Sequence, residues 1–344
     1  MEPSAGKDHK ILFLYNHSST FIRNDLEIFK GKAAVVAYEC RISKSLPGFI
    51  VSMAREMFFI LFNISKSGMI YCWFADYHAF FPAFFAKLAR KPFYLVLGGY
   101  DVNYLPELGY GSFGSRFRGY CTRYALRNAT CNLPVSENLA VEARKRAGNI
   151  NLHTLPTGYD PEKFTFTDEL KENMVITAAI VHEKQTYLVK GLDRFLELAR
   201  ITPGLTFVAV GIGTEMHPDF EPVPENLKLI PRVDQYELYR WFGRARFYAQ
   251  LSRSEGMPNG LCEAMLMKCI PLGMKVGGIP AVIAGDGYLL DEWDPLMARD
   301  FLMSHLADNE TGEKARKSIA ERFHYRKRAE YLESLLTRLK GYRQ

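Results

Sequence analysis

The chain reads as an α/β protein of two doubly wound domains, each built on a parallel sheet. Three observations lead there. At 344 residues the chain exceeds one comfortable core and suits two domains of roughly 150 to 170 residues. Its hydrophobic fraction of 48% and charged fraction of 24% are those of a globular protein, which excludes long disordered tails and low-complexity arrays. Short apolar runs alternate with longer helical patterns, the rhythm of βα units whose strands lie parallel.

Taken in order, the strands expected in the first half are Ile11 to Tyr15, Ala33 to Tyr38, Met69 to Trp73, Phe93 to Leu97 and Asn132 to Val135. The turn-rich Pro156-Thr157-Gly158-Tyr159-Asp160-Pro161 and the charged stretch Asp168 to Asn173 then interrupt the rhythm, which begins afresh. This places a first domain over 1–160 and a second over 170–315. Expected strands in the second are Val175 to Ala179, Thr206 to Val210, Leu227 to Ile230, Phe247 to Leu251 and Ile270 to Gly273. From Lys314 to Lys340 the pattern is helical, with Ile319, Phe323, Tyr331, Leu332, Leu335 and Leu336 among many charges. The segment 316–344 is therefore expected as a helix that packs back on the first domain.

A net charge of +6 suits phosphate-bearing ligands or an anionic membrane surface, and no nucleic-acid partner is expected. The six cysteines show no CxxC pair and no metal-like spacing with histidine, so they read as buried free thiols. The polar start leads into an apolar run too short for an export signal, and the most apolar stretch, Phe49 to Ile64, is broken by Arg55 and Glu56. The expectation is a cytoplasmic protein without a spanning helix, peripheral at most to the inner membrane face.

The most informative segment is Ser254-Glu255-Gly256-Met257-Pro258-Asn259-Gly260-Leu261-Cys262-Glu263-Ala264-Met265. It sets two carboxylates eight positions apart across a turn that opens a helix. Glu263 is expected in the first helical turn, where N–H groups lack intrahelical partners, and Glu255 upstream on the loop leaving a strand. A carboxylate accepts two hydrogen bonds at once, so Glu263 suits a ribose diol and Glu255 the hydroxyls of a sugar. The competing reading is a solvated helix start. Lys190-Gly191 precedes an amphipathic helix; the lysine suits a diphosphate, or is merely solvated. Val208-Ala209-Val210-Gly211-Ile212-Gly213 marks a tight βα turn.

In the first half, Gly98, Gly99 and Asp101 end one strand, and Asp76 and His78 follow another. Asp101 is a candidate sugar contact or an N-cap, and His78 a candidate for proton transfer or a simple hydrogen-bonding residue. Gly277-Gly278-Ile279-Pro280 follows the last strong strand and allows a loop of N–H groups. Between Phe113 and Arg127, Arg116, Arg118, Arg123 and Arg127 alternate with Phe117, Tyr120, Tyr124 and Leu126, a helix that touches anionic lipid or carries a solvated cationic face.

Together these segments resemble the retaining glycosyltransferases of the GT4 family over nearly the whole chain. The E-x7-E motif, Glu255 and Glu263 followed by Ala264-Met265, is the most specific element. Val135-Ser136-Glu137, Pro156 through Phe164, Lys190-Gly191, the Gly211 turn and Gly277 to Pro280 follow in the family's order. The resemblance implies the GT-B fold: two facing Rossmann-like doubly wound domains, an interdomain cleft and a C-terminal crossover helix. It implies that Glu263 binds the donor's ribose, that Glu255 contacts the donor sugar and that Lys190 holds the diphosphate. Gly256, Met257, Pro258, Asn259, Gly260 and Leu261 would meet the donor sugar and phosphates, Arg232 and Val233 would lie near the base, and Gly211 would line the donor site. Gly98, Gly99, Asp101, Asp76 and His78 are carried as acceptor-side or sugar contacts.

The implied activity is metal-independent transfer, without a cofactor, from a UDP- or GDP-sugar to the hydroxyl of a sugar or lipid-linked glycan. Several departures stand out. The family's arginine before Lys-Gly is missing, leaving His182 or Lys184 as substitutes; its first-domain histidine-glycine is Gly98-Gly99 here; and its acidic residue after Gly-Gly-x-Pro is Ala281. A sugar-nucleotide epimerase and a noncatalytic nucleotide-sugar-binding scaffold are the competing readings.

Overall fold

The computed structural model describes residues 10–43, 45–165 and 171–341, so part of the charged stretch Asp168 to Asn173 and nearly all of the polar start lie outside the described residues. The chain forms two compact units. The first takes the chain up to Pro106, Gly111–Gly158 and the stretch from Tyr325 onward; the second takes Glu107–Tyr110 and Tyr159–His324.

The first unit runs β1 (Lys10–Tyr15), α1 (Thr20–Lys32), β2 (Ala34–Glu39), α2 (Leu46–Ile64), β3 (Met69–Trp73), α3 (Phe80–Leu88), β4 (Phe93–Leu97), α4 (Arg116–Asn128), β5 (Cys131–Pro134) and α5 (Glu137–Ala147). Its strands pair in parallel in the order β2-β1-β3-β4-β5. β3 and β4 are buried at every position, which is why they read as unbroken apolar runs rather than alternating ones. Right-handed crossovers set α1 on one face and place α2, α3 and α4 side by side on the other. Accordingly α2 packs on α3, and α3 on α4.

The second unit runs β6 (Glu172–Val181), α6 (Lys184–Val189), α7 (Leu192–Ile201), β7 (Thr206–Ile212), β8 (Leu227–Ile230), α8 (Gln235–Arg244), β9 (Ala245–Gln250), α9 (Asn259–Leu266), β10 (Ile270–Met274), α10 (Ile279–Ile283), β11 (Tyr288–Leu290), α11 (Pro295–Ser304) and α12 (Glu310–Arg322). These strands pair in parallel in the order β11-β10-β9-β6-β7-β8. β11 escaped the sequence reading because three residues after a Gly-Asp-Gly turn carry too little pattern.

The C-terminal pattern read as one helix is two. α12 packs on α9 and β10 in the second unit; after Phe323 and His324 the chain resumes as α13 (Tyr325–Gly341), which packs on α1 in the first. The division thus falls near 325 rather than 316, and Ile319 serves one core while Leu332, Leu335 and Leu336 serve the other. α13 is held by charge as well as packing. The buried Asp25 carboxylate accepts from Arg328 Nε at 2.6 Å and Nη2 at 2.7 Å, from Tyr71 Oη at 2.7 Å and from Trp73 Nε1 at 2.9 Å. All six cysteines are free, five buried and Cys131 half-buried.

Candidate active site

The carboxyl ends of β6 to β11 share one edge of the second sheet. Strand order reverses between β6 and β9, the place where open α/β sheets bind ligands. Lys190 closes the helix after β6, and Glu255 lies on the loop after β9. Between them Gly191 takes φ +69°, and a Cβ there would fall 2.0 Å from the Leu251 carbonyl oxygen. Only glycine lets the Lys190 turn lie so close to the end of β9. The result is an ion pair across the switch point, Lys190 Nζ to Glu255 Oε2 at 2.8 Å. Gln250 Nε2 and Ser252 Oγ stand 3.4 Å from the same oxygen, and Oε1 takes none of these bonds. From the other side, Gly277 (φ +56°) brings the loop after β10 against the Glu255 backbone.

α9 starts at Asn259, directly after Pro258, so the N–H groups of Asn259, Gly260 and Leu261 point out of the helix without intrahelical partners. Gly256, Met257, Pro258 and Leu261 are buried, and the Asn259 side chain accepts from Tyr159 Oη at 2.5 Å. Glu263 is the fifth residue of the helix, one turn deeper than expected, past the first-turn N–H groups rather than among them. Its carboxylate makes no hydrogen bond or ion pair among the described residues, and burial pushes its pKa up to about 8. Tyr239 and Tyr248 stand near enough to feel it: burial raises both phenols and the Glu263 charge raises them further. Such a carboxylate is short of donors, and a vicinal diol supplies two.

Tyr248 was missed by the sequence reading. It lies buried in β9, feels both glutamates and would collide with any Cβ at Gly260, which explains that glycine. Arg253, also missed, pairs with Asp193 at 2.6 Å and donates to the Leu188 carbonyl at 2.5 Å, bracing the Lys190 turn. Neither is signalled by spacing alone.

Other expected donor residues fare differently. Gly211 (φ +95°) is crowded: a Cβ would meet the Ala179 carbonyl oxygen at 2.3 Å, so the glycine serves strand packing. Arg232 is exposed and Val233 half-buried on the loop after β8, at the same sheet edge, with no hydrogen bond from Arg232 among the described residues. The candidate substitute cations are already engaged, His182 with Glu215 at 2.5 Å and Lys184 with Asp219.

In the first unit the reading of Asp101 is corrected. Its buried carboxylate accepts backbone N–H bonds from Gly99 at 2.7 Å, Gly98 at 3.0 Å and Ala75 at 3.3 Å, which leaves it organising the turn rather than meeting a sugar. Gly98 is required by the Phe74 ring, 2.1 Å from where its Cβ would be, and Gly99 by φ +141°. Asp76 is clasped by the Arg118 guanidinium, with Nε at 2.7 Å. His78 is fully buried, not in a polar loop: Nε2 donates to the Trp73 carbonyl at 2.8 Å, Nδ1 has no partner, and burial lowers its pKa. Asp76, His78, Arg118 and Asn16 line a cavity of ≈ 710 Å³ whose apolar walls include Leu46, Phe49 and Phe117.

Residues 172–308 match the family model described as glycosyl transferases group 1. A Bacillus subtilis (strain 168) protein named as a teichuronic acid biosynthesis glycosyltransferase, TuaC, is 25% identical over 60% of this chain, and the match spans about half of that relative's length, 52%. Anabaena HepE, solved in complex with UDP and glucose, superposes with a TM-score of 0.78 at 14% identity, covering 96% of this chain and 99% of that one. The sucrose-phosphate synthase of Thermosynechococcus elongatus gives a TM-score of 0.79 at 11% identity, over 97% and 99%. Residues 172–308 thus match the group 1 glycosyltransferase family model, in a chain that has the two-sheet α/β fold of the GT-B glycosyltransferase structures.

Proposed function

We propose that this chain is a retaining glycosyltransferase that moves a sugar from a UDP- or GDP-sugar to an acceptor hydroxyl in the synthesis of a cell-surface glycan. The observation that carries this reading is the Lys190–Glu255 pair at the β6/β9 switch point, with the unpartnered Glu263 one turn into the adjacent helix. Binding of glucose and UDP by HepE, and the part TuaC's name gives it in teichuronic acid synthesis, support the donor class and the glycan class.

The chemistry follows from the groups present. Without donor, Lys190 is neutralised by Glu255. A bound diphosphate takes over Lys190 and the outward N–H groups of α9, which frees Glu255 Oε2 to join Oε1 in holding sugar hydroxyls. Glu263 accepts both hydroxyls of the ribose. The bond from anomeric carbon to phosphate oxygen then breaks as the acceptor oxygen bonds to the same face, and the acceptor's proton passes to the departing phosphate oxygen. Lys190 and the helix N-terminus stabilise the charge that develops on the diphosphate, so the step needs no metal. The cavity beside Asp76 and His78 is the acceptor site in this reading, with a sugar or a lipid-linked glycan as acceptor.

The test is thermal shift with a panel of UDP- and GDP-sugars in the presence of EDTA, on wild type and Glu263→Ala. One donor should raise the wild-type melting temperature and leave the variant unmoved. If no sugar nucleotide shifts the wild type, the donor site is wrong. Turnover lost in Glu255→Gln with donor binding retained separates catalysis from a binding-only scaffold, and the anomeric configuration of the product by NMR decides retention.

A further inference from the structure

α2 faces the wrong way for a helix of a water-soluble surface. Its inner stripe, Glu56, Ile60 and Ile64, is buried against the first unit. Its outer stripe holds Leu46, Ile50, Phe58 and Phe62, which are 72%, 59%, 53% and 75% exposed. Among the described residues it is the helix long and apolar enough to cross a membrane, with only 17% of that window buried.

The outer surface continues across the neighbouring helices of the same layer. α3 exposes Phe84 and Leu88, and α4 exposes Phe117 and Tyr120. Around these stand the exposed cations Arg55, Lys66, Lys87, Arg90, Arg116 and Arg127. The acidic residue found within α2, α3 and α4 is Glu56, and it is buried.

We propose that this face of the first unit lies on an anionic lipid bilayer, with α2 seated in the plane of the interface. Large apolar side chains enter the headgroup boundary while lysine and arginine reach the lipid phosphates, and the two contributions reinforce each other. Charge selects this occupant over a second copy of the chain, since a symmetric contact would set six cations against six with no exposed carboxylate from these helices between them. It also selects lying over crossing, because the inner stripe is committed to the protein core and Arg55 sits midway along the outer one. Leu46 and Phe117 belong both to this face and to the lining of the cavity described above, so in the transferase reading a glycan carried on a lipid reaches it without leaving the membrane surface. The docking itself does not depend on the transferase reading.

Flotation of the full chain with phosphatidylcholine vesicles, with and without phosphatidylglycerol, tests it. Binding to the anionic vesicles should exceed binding to the neutral ones and weaken with salt. The double variant Phe58→Glu, Phe62→Glu should lose about tenfold or more in partitioning, since each change removes an exposed aromatic that enters the bilayer and adds repulsion. Both residues are exposed, so the variant should keep the wild-type melting curve and any donor-induced shift, which keeps the membrane result separate from the donor result. The proposal is overturned if wild type does not float with anionic vesicles, if the variant floats equally well, if the bound protein resists carbonate extraction as a spanning chain does, or if light scattering shows a dimer that the variant dissolves.

Discussion

Glu263 keeps its carboxyl where burial works against the charge and no donor relieves it. An acid whose pKa is raised on folding binds more protons folded than unfolded between its ordinary range and about 8, so stability falls as pH rises through that window. Glu263→Gln should therefore raise the melting temperature at pH 8.5 and leave it unchanged at pH 4.5. At about 1.4 kcal/mol per unit, more than halved for solvent contact, the gain is about 2 kcal/mol. The same variant should weaken donor binding, because an amide cannot accept two hydroxyl hydrogens as a carboxylate does. A melting temperature that moves equally at both pH values would sink the burial argument. At Lys190, replacement by alanine removes the cation opposite the leaving diphosphate; kcat should fall by about 10² to 10³, the scale for loss of one preorganised charge donor. Steady-state kinetics at saturating donor check this, and an unchanged kcat would take Lys190 out of the chemistry.

At the scale of elements, two glycines of positive φ separate strain from crowding. Gly191→Ala meets the Leu251 carbonyl at 2.0 Å, whereas Gly148→Ala, at φ +83°, meets nothing within 4 Å. The second should cost about 1 to 2 kcal/mol from backbone strain alone, since φ +83° with ψ −144° is a conformation essentially reserved for glycine. The first should cost about 3 kcal/mol or more and also abolish the donor-induced shift, because the Lys190 turn must retreat from β9. Equal losses in urea titrations would mean that the turn has room to move. This contrast also marks what could be read from sequence. Doubly buried strands such as β3 must be apolar throughout, so their existence was legible, as were the α/β rhythm and the Lys-Gly and E-x7-E segments that converge on one sheet edge. What escaped depends on partners far away in the chain. Asp101 looked like a ligand contact until its three backbone donors were in place, and Tyr248 looked like an ordinary strand tyrosine. Nothing local announces that α12 and α13 serve different cores, since the apolar period runs through the break at Phe323.

For the whole molecule, the C-terminal helix closes a fold that began 303 positions earlier: Arg328 on α13 neutralises Asp25 on α1, and both are buried. Removing one partner of such a pair costs about 3 to 5 kcal/mol, because the other is left as an uncompensated charge in a dry site. Ending the chain after His324 removes Arg328 together with Leu332, Leu335 and Leu336 from the first unit, while every strand of the second unit stays intact. Scanning calorimetry of the truncated chain should therefore show a low-temperature transition, or none, for the first unit and a retained transition for the second. A nucleotide sugar that binds at Lys190, Glu255 and Glu263 should still raise that retained transition, since all three residues belong to the second unit. Arg328→Met, which keeps the helix and removes only the charge, should reproduce the selective loss in milder form. If truncation instead abolishes both transitions together, the units fold as one cooperative block and α13 supports more than the core that holds Asp25.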